Sequence, residues 1–290
     1  MMLDFLLWVQ RFAQNLSKSL SSVVKILVLS KKPKTMVKRS NDEAVILANG
    51  PSLDTMIEES IDFLNDKDLV CVNHFPSTEY FERLKPRYLI SSAPDLWRDD
   101  IEPFYMRQSD NLFETLSRKT TWDLIFYFPF EARKYKRWQS FLEKNSLIKI
   151  VYYNTTPIEG WKPFRHWCFR HNLGMPRPHN VLIPSIFLLI NSGYRKIYLW
   201  GADHSWLKDI SVDEQNNALI NQKHFYDEHT SVARPLDWKG VGARKLHEIL
   251  YKFMTAFASY FVIDEYAKSR NVRIINKTKG SFIDAFEREN

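Results

Sequence analysis

The sequence predicts an α/β fold: a mainly parallel sheet with helices on both faces, a small lid region and an amphipathic helix at the N-terminus. Short, fully apolar runs alternate with segments of helical spacing, which is typical of parallel strands buried on both faces. One such run, residues 44–48, stops at Asn49-Gly50-Pro51-Ser52, which suits a tight turn from a strand into a helix. The 290 residues, 44% of them hydrophobic, are enough for one large α/β domain.

The strands are predicted from short apolar runs bounded by polar or turn residues. They are residues 44–48, 69–73, 88–92, 124–128, 148–153, 196–200 and 272–276. The helices are predicted from helical spacing, as at Ile57, Ile61 and Leu64, and from stop signals such as Ser192-Gly193. They are residues 54–64, 81–84, 131–145, 181–190 and 242–267.

The chain is expected to divide into three regions. Residues 1–30 form the N-terminal helix, residues 31–43 are a polar and basic linker, and residues 44–290 form the main domain. We expect a lid at about residues 155–180 and 205–240. Within it, residues 161–177 are rich in Trp, His, Arg and Pro with little apolar period, which predicts an irregular structure.

The N-terminal helix has two interpretations. Apolar residues recur at helical spacing from Leu3 to Leu27, with Arg11, Lys18 and Lys25 among polar residues between them. The segment has neither the roughly 18 to 20 consecutive apolar residues of a membrane span nor the cleavage site of a signal peptide. It could lie on a membrane with its cations against anionic headgroups. It could equally pack across the domain or in a dimer contact.

Charge and cysteine content narrow the classes of partner and compartment. The net charge of +7 and the pI near 9.2 favour an anionic partner. Lys and Arg are spread along the chain without a dominant basic run, so we expect a nucleotide or a phospholipid surface and no nucleic acid. Cys71 and Cys168 have no metal-binding or redox spacing, and we expect reduced thiols in a cytoplasmic protein. The sequence leaves open whether the chain forms a homo-oligomer.

Polar residues follow four of the predicted strands. Because ligands bind in the crevice at the carboxyl ends of parallel strands, we expect these residues to converge there. Gly50 permits a close backbone approach, and Ser52 can cap the following helix while its N–H faces a phosphate. The four groups are residues 49–52, Asn73, residues 92–95, and residues 201–204 with Asp203 and His204.

Three motifs at these strand ends carry a resemblance to a known family. They are ILANGPSL at residues 46–53, VNHF at residues 72–75 and SGYRKIYLWGAD at residues 192–203, with weaker similarity at residues 276–286. They resemble the bacterial sialyltransferases of glycosyltransferase family 42 and the wider group that includes flagellin-modifying and MptE-like proteins. The resemblance implies a Rossmann-like sheet and a nucleotide-sugar glycosyltransferase that acts with inversion at the anomeric carbon, without a metal and without another cofactor.

The resemblance also implies roles for single residues. Asn49, Gly50 and Ser52 would hold the nucleotide phosphate and ribose. Asn73 would contact a phosphate or the donor sugar, and Asp203 would bind the nucleotide.

The chain departs from the family at three positions. Ala93 stands where the family has a second donor-site Asn, and residues 180–182 replace its Thr-Ser-Gly. Ser205 stands where the family has a Tyr after its Gly-x-Asp motif. The substrate-binding candidates nearest to these positions are Asp95, Asn180, Ser185 and His204.

The general base must accept a proton near neutral pH, which His does best. Members of the family place a His in the loop after the Gly-x-Asp strand, and this chain has His224 and His229 there. We expect one of them to be the base. Tyr226 would donate a hydrogen bond to the departing phosphate.

Two other groups of residues give weaker support for a functional role. Asp66-Lys67-Asp68 has the form of a metal-binding Asp-x-Asp, but it lies in a charged turn before a strand, so no metal is expected. A basic group in the lid region favours an anionic acceptor or a lipid phosphate, or else a solvated lid. Its members are Arg165, His166, Arg170, His171 and Arg177.

The resulting hypothesis is a peripheral enzyme on the inner face of the cell membrane. It would move a sialic-acid-like or Kdo-like sugar from a CMP donor onto a membrane-borne surface glycan. One alternative is an MptE-like Mg²⁺-dependent pyrophosphokinase. Another is a non-catalytic partner in glycan assembly.

Overall fold

The computed structural model describes residues 2–31, 39–221, 225, 232–236 and 242–289. Ten strands are present in these ranges. They are β1 (Glu43–Leu47), β2 (Asp68–Val72), β3 (Tyr88–Ile90), β4 (Leu124–Pro129), β5 (Ile148–Tyr153), β6 (Lys196–Trp200), β7 (Ile210–Val212), β8 (Ala218–Ile220), β9 (Arg234–Pro235) and β10 (Arg273–Asn276).

Eight α-helices lie in the same described ranges. They are α1 (Met2–Leu29), α2 (Leu53–Ser60), α3 (Tyr80–Leu84), α4 (Pro103–Lys119), α5 (Arg137–Leu142), α6 (Lys162–Arg170), α7 (Leu182–Ser192) and α8 (Leu246–Ser269). The predicted α/β fold is confirmed. Each predicted strand is present, with bounds that differ by at most two residues.

Seven of the described strands form one parallel sheet in the order β10-β6-β1-β2-β3-β4-β5. The chain lays down β1 to β5 in one direction and then returns to the other side of β1 for β6 and β10. The strand order therefore reverses between β1 and β6. In open parallel sheets, a crevice for ligands forms at the carboxyl ends of the strands at this switch point.

The two faces of the sheet bury separate hydrophobic clusters. Alternate residues of β1 point to opposite faces, so Ala44 and Ile46 pack in one cluster and Val45 and Leu47 in the other. Helices α6, α7 and α8 cover the first face, and α2 to α5 cover the second. Since β1 is buried on both sides, its apolar run shows no alternation in the sequence.

Two predictions about the lid region and the middle of the chain are wrong. Residues 162–170 of the segment 161–177 are not irregular, because α6 begins after Trp161 with Pro163 in its first turn and buries Cys168 and Phe169. Residues 171–177 form no helix or strand. The predicted helix 131–145 is instead a 3₁₀ turn, Phe130–Lys134, followed by the short α5.

Two elements were not predicted from the sequence. Helix α4 is polar over most of its 17 residues and buries a narrow stripe that includes Leu112, Phe113 and Leu116. Within the range 205–240, β7, β8 and β9 form a small antiparallel sheet. Its strands are two or three residues long, too short for a period to show.

Both cysteines are buried and unpaired, as expected of reduced thiols. Burial raises the pKa of the Cys168 thiol to about 11, and it also raises the pKa of the Cys71 thiol. Neither thiol is therefore ionised at neutral pH, and both serve as packing groups.

Candidate functional site

The turns after β1 and β6 meet at the switch point. The Gly50 N–H donates to the Gly201 carbonyl at 2.8 Å, directly beyond the bond from the Ala48 N–H to the Trp200 carbonyl. A Cβ on Gly50 would lie 2.3 Å from the Gly201 oxygen and 2.1 Å from Asp203 Oδ2. Glycine at position 50 is therefore required for the two turns to touch. The close backbone approach expected at Gly50 is an approach to the turn after β6 of the same chain.

Ser52 and Asp203 join the same two turns through their side chains. The Ser52 hydroxyl donates to Asp203 Oδ2 at 2.8 Å, and the Ser52 N–H is 3.4 Å from the same oxygen. Burial raises the pKa of Asp203, and the bonds from Ser52 oppose that rise. The carboxylate lies at the N-terminus of α2, where the helix dipole favours a negative charge.

The predicted role of Ser52 as a helix cap is wrong. Ser52 has helical backbone angles (φ −79°, ψ −10°), and its hydroxyl makes no capping bond to α2. A residue that caps with its side chain normally has an extended backbone. Its N–H also points to Asp203 and not to an open phosphate position.

Asn49 and Asn73 extend the site across the ends of β2 and β3. Asn49 Nδ2 donates to the Val72 carbonyl at 3.1 Å, while its buried Oδ1 finds no hydrogen-bond partner among the described residues. Asn73 adopts a left-handed conformation (φ 47°) and its Oδ1 accepts from the Ser92 N–H at 3.4 Å. Buried acceptors are rarely left unpaired, so Asn49 Oδ1 is a candidate acceptor for a ligand donor.

Asp95 follows this group in a short 3₁₀ turn, Pro94–Leu96, and is half-buried. The structure thus brings together the ends of β1, β2, β3 and β6. This is the convergence predicted from the sequence for Asn49, Gly50, Asn73 and Asp203.

Asn180 precedes α7 and Ser185 lies in its first turn, and both have structural partners. Asn180 Oδ1 accepts from the N–H groups of Leu182 and Ile183 at 3.0 and 3.3 Å. Ser185 is fully buried and donates to the Val181 carbonyl at 2.7 Å, one turn back in the same helix. A fully buried hydroxyl offers no surface to a ligand, so the structure gives no support to a binding role for Ser185.

A cavity of about 100 Å³ lies between the start of α7 and α8. Its lining residues are His179, Asn180, Trp206, Lys252, Phe253 and Ala256. His204 lies beside a lining residue, because its ring centroid is 4.1 Å from that of Trp206, and its Nδ1 lies 3.1 Å from the Tyr260 hydroxyl. Among the candidates, the structure therefore groups Asn180 and His204 around this cavity.

Both histidines at the cavity are neutral at neutral pH. Burial, together with the charges of Arg177 and Lys252, lowers the pKa of His179 to about 4. Burial lowers the pKa of His204 to about 3. His179 Nε2 is buried and has no hydrogen-bond partner within the described part of the chain. His179 was missed in the sequence because its only signal, a position next to Asn180, is weak.

The predicted catalytic residues His224, Tyr226 and His229 lie outside the described residues. Phe225 is described, and its N–H donates to the Asn49 carbonyl at 3.2 Å. Its ring lies 6.0 Å from the ring of Phe75. The loop that carries the predicted base therefore has one residue attached to the switch-point crevice.

The Asp66-Lys67-Asp68 turn has a structural role at the amino ends of the strands, away from the crevice at their carboxyl ends. Asp68 begins β2, is buried, and accepts hydrogen bonds from Ser40, Asn41 and Tyr194. Burial acts to raise its pKa, and these bonds outweigh burial and lower it. No group of three or more His, Cys, Asp or Glu side chains that could hold a metal occurs in the described ranges.

Among the comparisons with known proteins, only the search of solved structures finds a likeness. No protein-family model matches the chain. No curated protein matches it either. Among solved structures, it is similar to the MAf glycosyltransferase from Magnetospirillum magneticum AMB-1, with 12% sequence identity and a TM-score of 0.49. The match covers 94% of this chain and 38% of that chain, so this chain spans about two fifths of the length of its neighbour.

Proposed function

We propose that the chain is a glycosyltransferase that binds a nucleotide-activated sugar in the crevice between β1 and β6. The observation that carries the proposal is the junction of Gly50 and Ser52 with Gly201 and Asp203 at the switch point of a parallel sheet. Such switch points are the ligand crevices of open α/β sheets. The motifs that build the junction are those that resemble the sialyltransferase family.

The polar groups at the junction suit the hydroxyl groups of a nucleoside. Asp203 presents a carboxylate that accepts hydrogen bonds, and Asn49 Oδ1 is an acceptor without a partner among the described residues. Hydroxyl groups of a ribose would donate to both acceptors. Because a carboxylate repels a phosphate, we place the nucleoside nearer to Asp203 and the phosphate nearer to Asn73.

The proposed reaction is a direct displacement. The acceptor hydroxyl oxygen forms a bond to the anomeric carbon, the bond from that carbon to the nucleotide phosphate breaks, and the base takes the hydroxyl proton. A base works best when its pKa lies near the working pH. With pKa values of about 4 and about 3, His179 and His204 are poor bases and better suited to hydrogen bonding. His224 or His229 therefore remains our proposal for the base, with Tyr226 at the departing phosphate.

A thermal-shift screen with CMP, UDP, GDP and ATP, each with and without Mg²⁺, tests the proposal. A nucleotide at a hundredfold excess over its Kd is expected to raise the Tm by about 4 °C. The shift is expected to be lost in Asp203→Asn and kept in Asp123→Asn, an exposed aspartate that precedes β4. A shift with CMP that needs no Mg²⁺ supports the proposed donor, a CMP-linked sugar acid.

The same screen decides between this proposal and its alternatives. A larger shift with ATP that requires Mg²⁺ would favour the pyrophosphokinase. The absence of a shift with every nucleotide would favour the non-catalytic partner. If nucleotide binds, single His224→Ala and His229→Ala variants test the base: unchanged turnover in both would remove it from the proposal.

A further inference from the structure

Helix α1 contacts the domain through a narrow polar stripe. The Ser22 hydroxyl donates to the Glu159 carbonyl at 3.0 Å and accepts from the Glu159 N–H at 2.8 Å. Ser19 Oγ accepts from the Trp161 N–H at 3.1 Å. A Cβ on Gly160 would lie 2.1 Å from Ser19 Oγ, so the backbone of α1 lies close against this loop. The residues that α1 buries are thus serines.

Most apolar residues of α1 face away from the domain. The exceptions are Ile26, which packs against the core, and Phe12, whose ring lies 5.4 Å from the Trp161 ring. At about 100° per residue, Leu20, Val24 and Leu27 lie on the side of the helix opposite Ser19 and Ser22. Their exposed fractions are 59%, 60% and 79%. A surface helix of a globular protein has the reverse arrangement, with its apolar stripe turned inward. The outward apolar side of α1 therefore needs a partner other than its own domain.

Helix α8 also carries an exposed apolar stripe. Leu250, Met254 and Phe261 recur at the spacing of one helix face and are all exposed, Phe261 by 52%. Both helices line one cavity of about 170 Å³. Helix α1 contributes Asn15 and Lys18, and α8 contributes Thr255, Ala258, Ser259 and Val262. The cavity thus lies between two helices that each carry exposed apolar residues. We call this surface the two-helix face. No described helix is long and apolar enough to cross a membrane.

The cavity in the two-helix face is cationic. Arg165, Arg177 and Lys18 line it together with the carboxylate of Glu159. Arg177 pairs with Glu159 at 2.5 Å and Arg165 pairs with Glu265 at 2.7 Å. Two further cations complete the group, Lys25 at 3.6 Å from Glu159 and Lys162 at 3.1 Å from Glu265.

Five cations therefore surround two carboxylates in this described group. The Nε of Arg165 is buried and has no hydrogen-bond partner in the residues that the structure describes. The cavity volume equals that of several water molecules, at about 30 Å³ each. Its size, excess positive charge and unpaired donor all suit a phosphate group.

We propose that the two-helix face lies on an anionic phospholipid bilayer and that the cavity binds the phosphate of one lipid headgroup. A bilayer supplies both an anionic layer and an apolar layer, which the cavity and the exposed apolar residues match. A second copy of this chain would bring the same cationic cavity against this one, and like charges would oppose that contact. This site goes beyond the proposed transfer reaction and does not depend on it.

Vesicle flotation of the full chain tests the proposal. We expect binding to vesicles of phosphatidylcholine mixed with phosphatidylglycerol, and much weaker binding to phosphatidylcholine alone. Lys18→Gln should weaken binding about fivefold, since one cation near an anionic surface contributes that much. Lys149→Gln, which removes an exposed cation of β5, should leave binding unchanged.

A second pair of variants tests the apolar contact. Phe261→Ser should weaken vesicle binding about tenfold, because a half-exposed aromatic ring no longer enters the bilayer. Phe104→Ser is the matched control, since Phe104 is 49% exposed on α4, on the other face of the sheet. Both variants should keep the thermal stability of the parent chain.

Three outcomes would overturn the proposal. The first is that the chain binds equally to both kinds of vesicle and that neither Lys18→Gln nor Phe261→Ser weakens this binding. The second is no vesicle binding but a dimer in light scattering that Phe261→Ser dissociates, which would assign the face to a second copy. The third is a thermal shift with inorganic phosphate at matched ionic strength and no vesicle binding, which would assign the cavity to free phosphate. Nucleotide binding in the thermal-shift screen is a separate readout and reports on the transferase alone.

Discussion

The Ser52 hydroxyl donates a hydrogen bond of 2.8 Å to Asp203 Oδ2 across 151 residues of sequence. This bond joins the turn after β1 to the turn after β6, and these two strands are the ones between which the order of the sheet reverses. It fixes the carboxylate at the mouth of the crevice. The geometry of any ligand site there depends on it.

Ser52→Ala is expected to weaken nucleotide binding more strongly as the pH falls. The Ser52 bonds oppose the rise in the pKa of Asp203 that burial causes, so their loss raises that pKa further. The carboxylate is then protonated at a higher pH and stops accepting hydrogen bonds there.

The nucleotide Kd, measured by calorimetry from neutral to acidic pH, should begin to rise at a higher pH in Ser52→Ala than in the parent chain. Ser140→Ala, on the exposed surface of α5, should follow the parent curve. Superimposable curves for Ser52→Ala and the parent would contradict the assignment.

Gly50→Ala is expected to destabilise the domain by about 1–3 kcal/mol, because the new Cβ meets the Gly201 carbonyl and the Asp203 carboxylate. Urea unfolding measures the loss. Gly280→Ala separates this clash from backbone strain, since Gly280 has a φ of +68° but open space around its Cα. The control should lose about 1 kcal/mol, the cost of the left-handed conformation alone. Equal losses in the two variants would show that the contact between the turns is loose.

The unfolding free energy is expected to fall as the pH drops from about 6.5 towards 4. His179 and His204 have folded pKa values of about 4 and about 3, below the ordinary value of 6.5. In this window the unfolded chain binds protons that the folded chain does not, so stability is full above pH 6.5 and is lost on acidification. Each histidine contributes a slope of up to about 1.4 kcal/mol per pH unit.

Urea titrations between pH 7 and pH 4.5, about the window set by these histidines, measure that slope. His204→Gln and His179→Gln should each flatten it, whereas His247→Gln, at an exposed position at the start of α8, should not. A slope that survives in both cavity variants would assign the pH dependence to other groups.

The sequence predicted the sheet and the crevice well because both depend on local signals. Apolar strands such as β1 and turn residues such as Gly50 are legible one segment at a time. Helix α6 was missed because its buried face consists of aromatic, His and Cys side chains without a clean period. The bond from Ser52 to Asp203, and the cavity around His179, join segments far apart in the chain, and no local pattern records such contacts.

Asn49→Leu is expected to lower nucleotide affinity about tenfold with little change in stability. The substitution removes the bond from Asn49 Nδ2 to the Val72 carbonyl, but it also removes a buried Oδ1 that has no partner in the described ranges. A typical hydrogen bond contributes about 1 kcal/mol and an unpaired buried acceptor costs a similar amount, so the two changes offset each other.

Asn145→Leu is the matched control for Asn49→Leu. Its amide donates to the Ser117 and Thr120 carbonyls at 2.8 Å and accepts from the Leu147 N–H at 3.0 Å, so all of these bonds are lost without compensation. The control should therefore be destabilised and, once folded, should bind nucleotide normally. If Asn49→Leu instead behaves like the control, Asn49 supports the strand ends and does not contact the ligand.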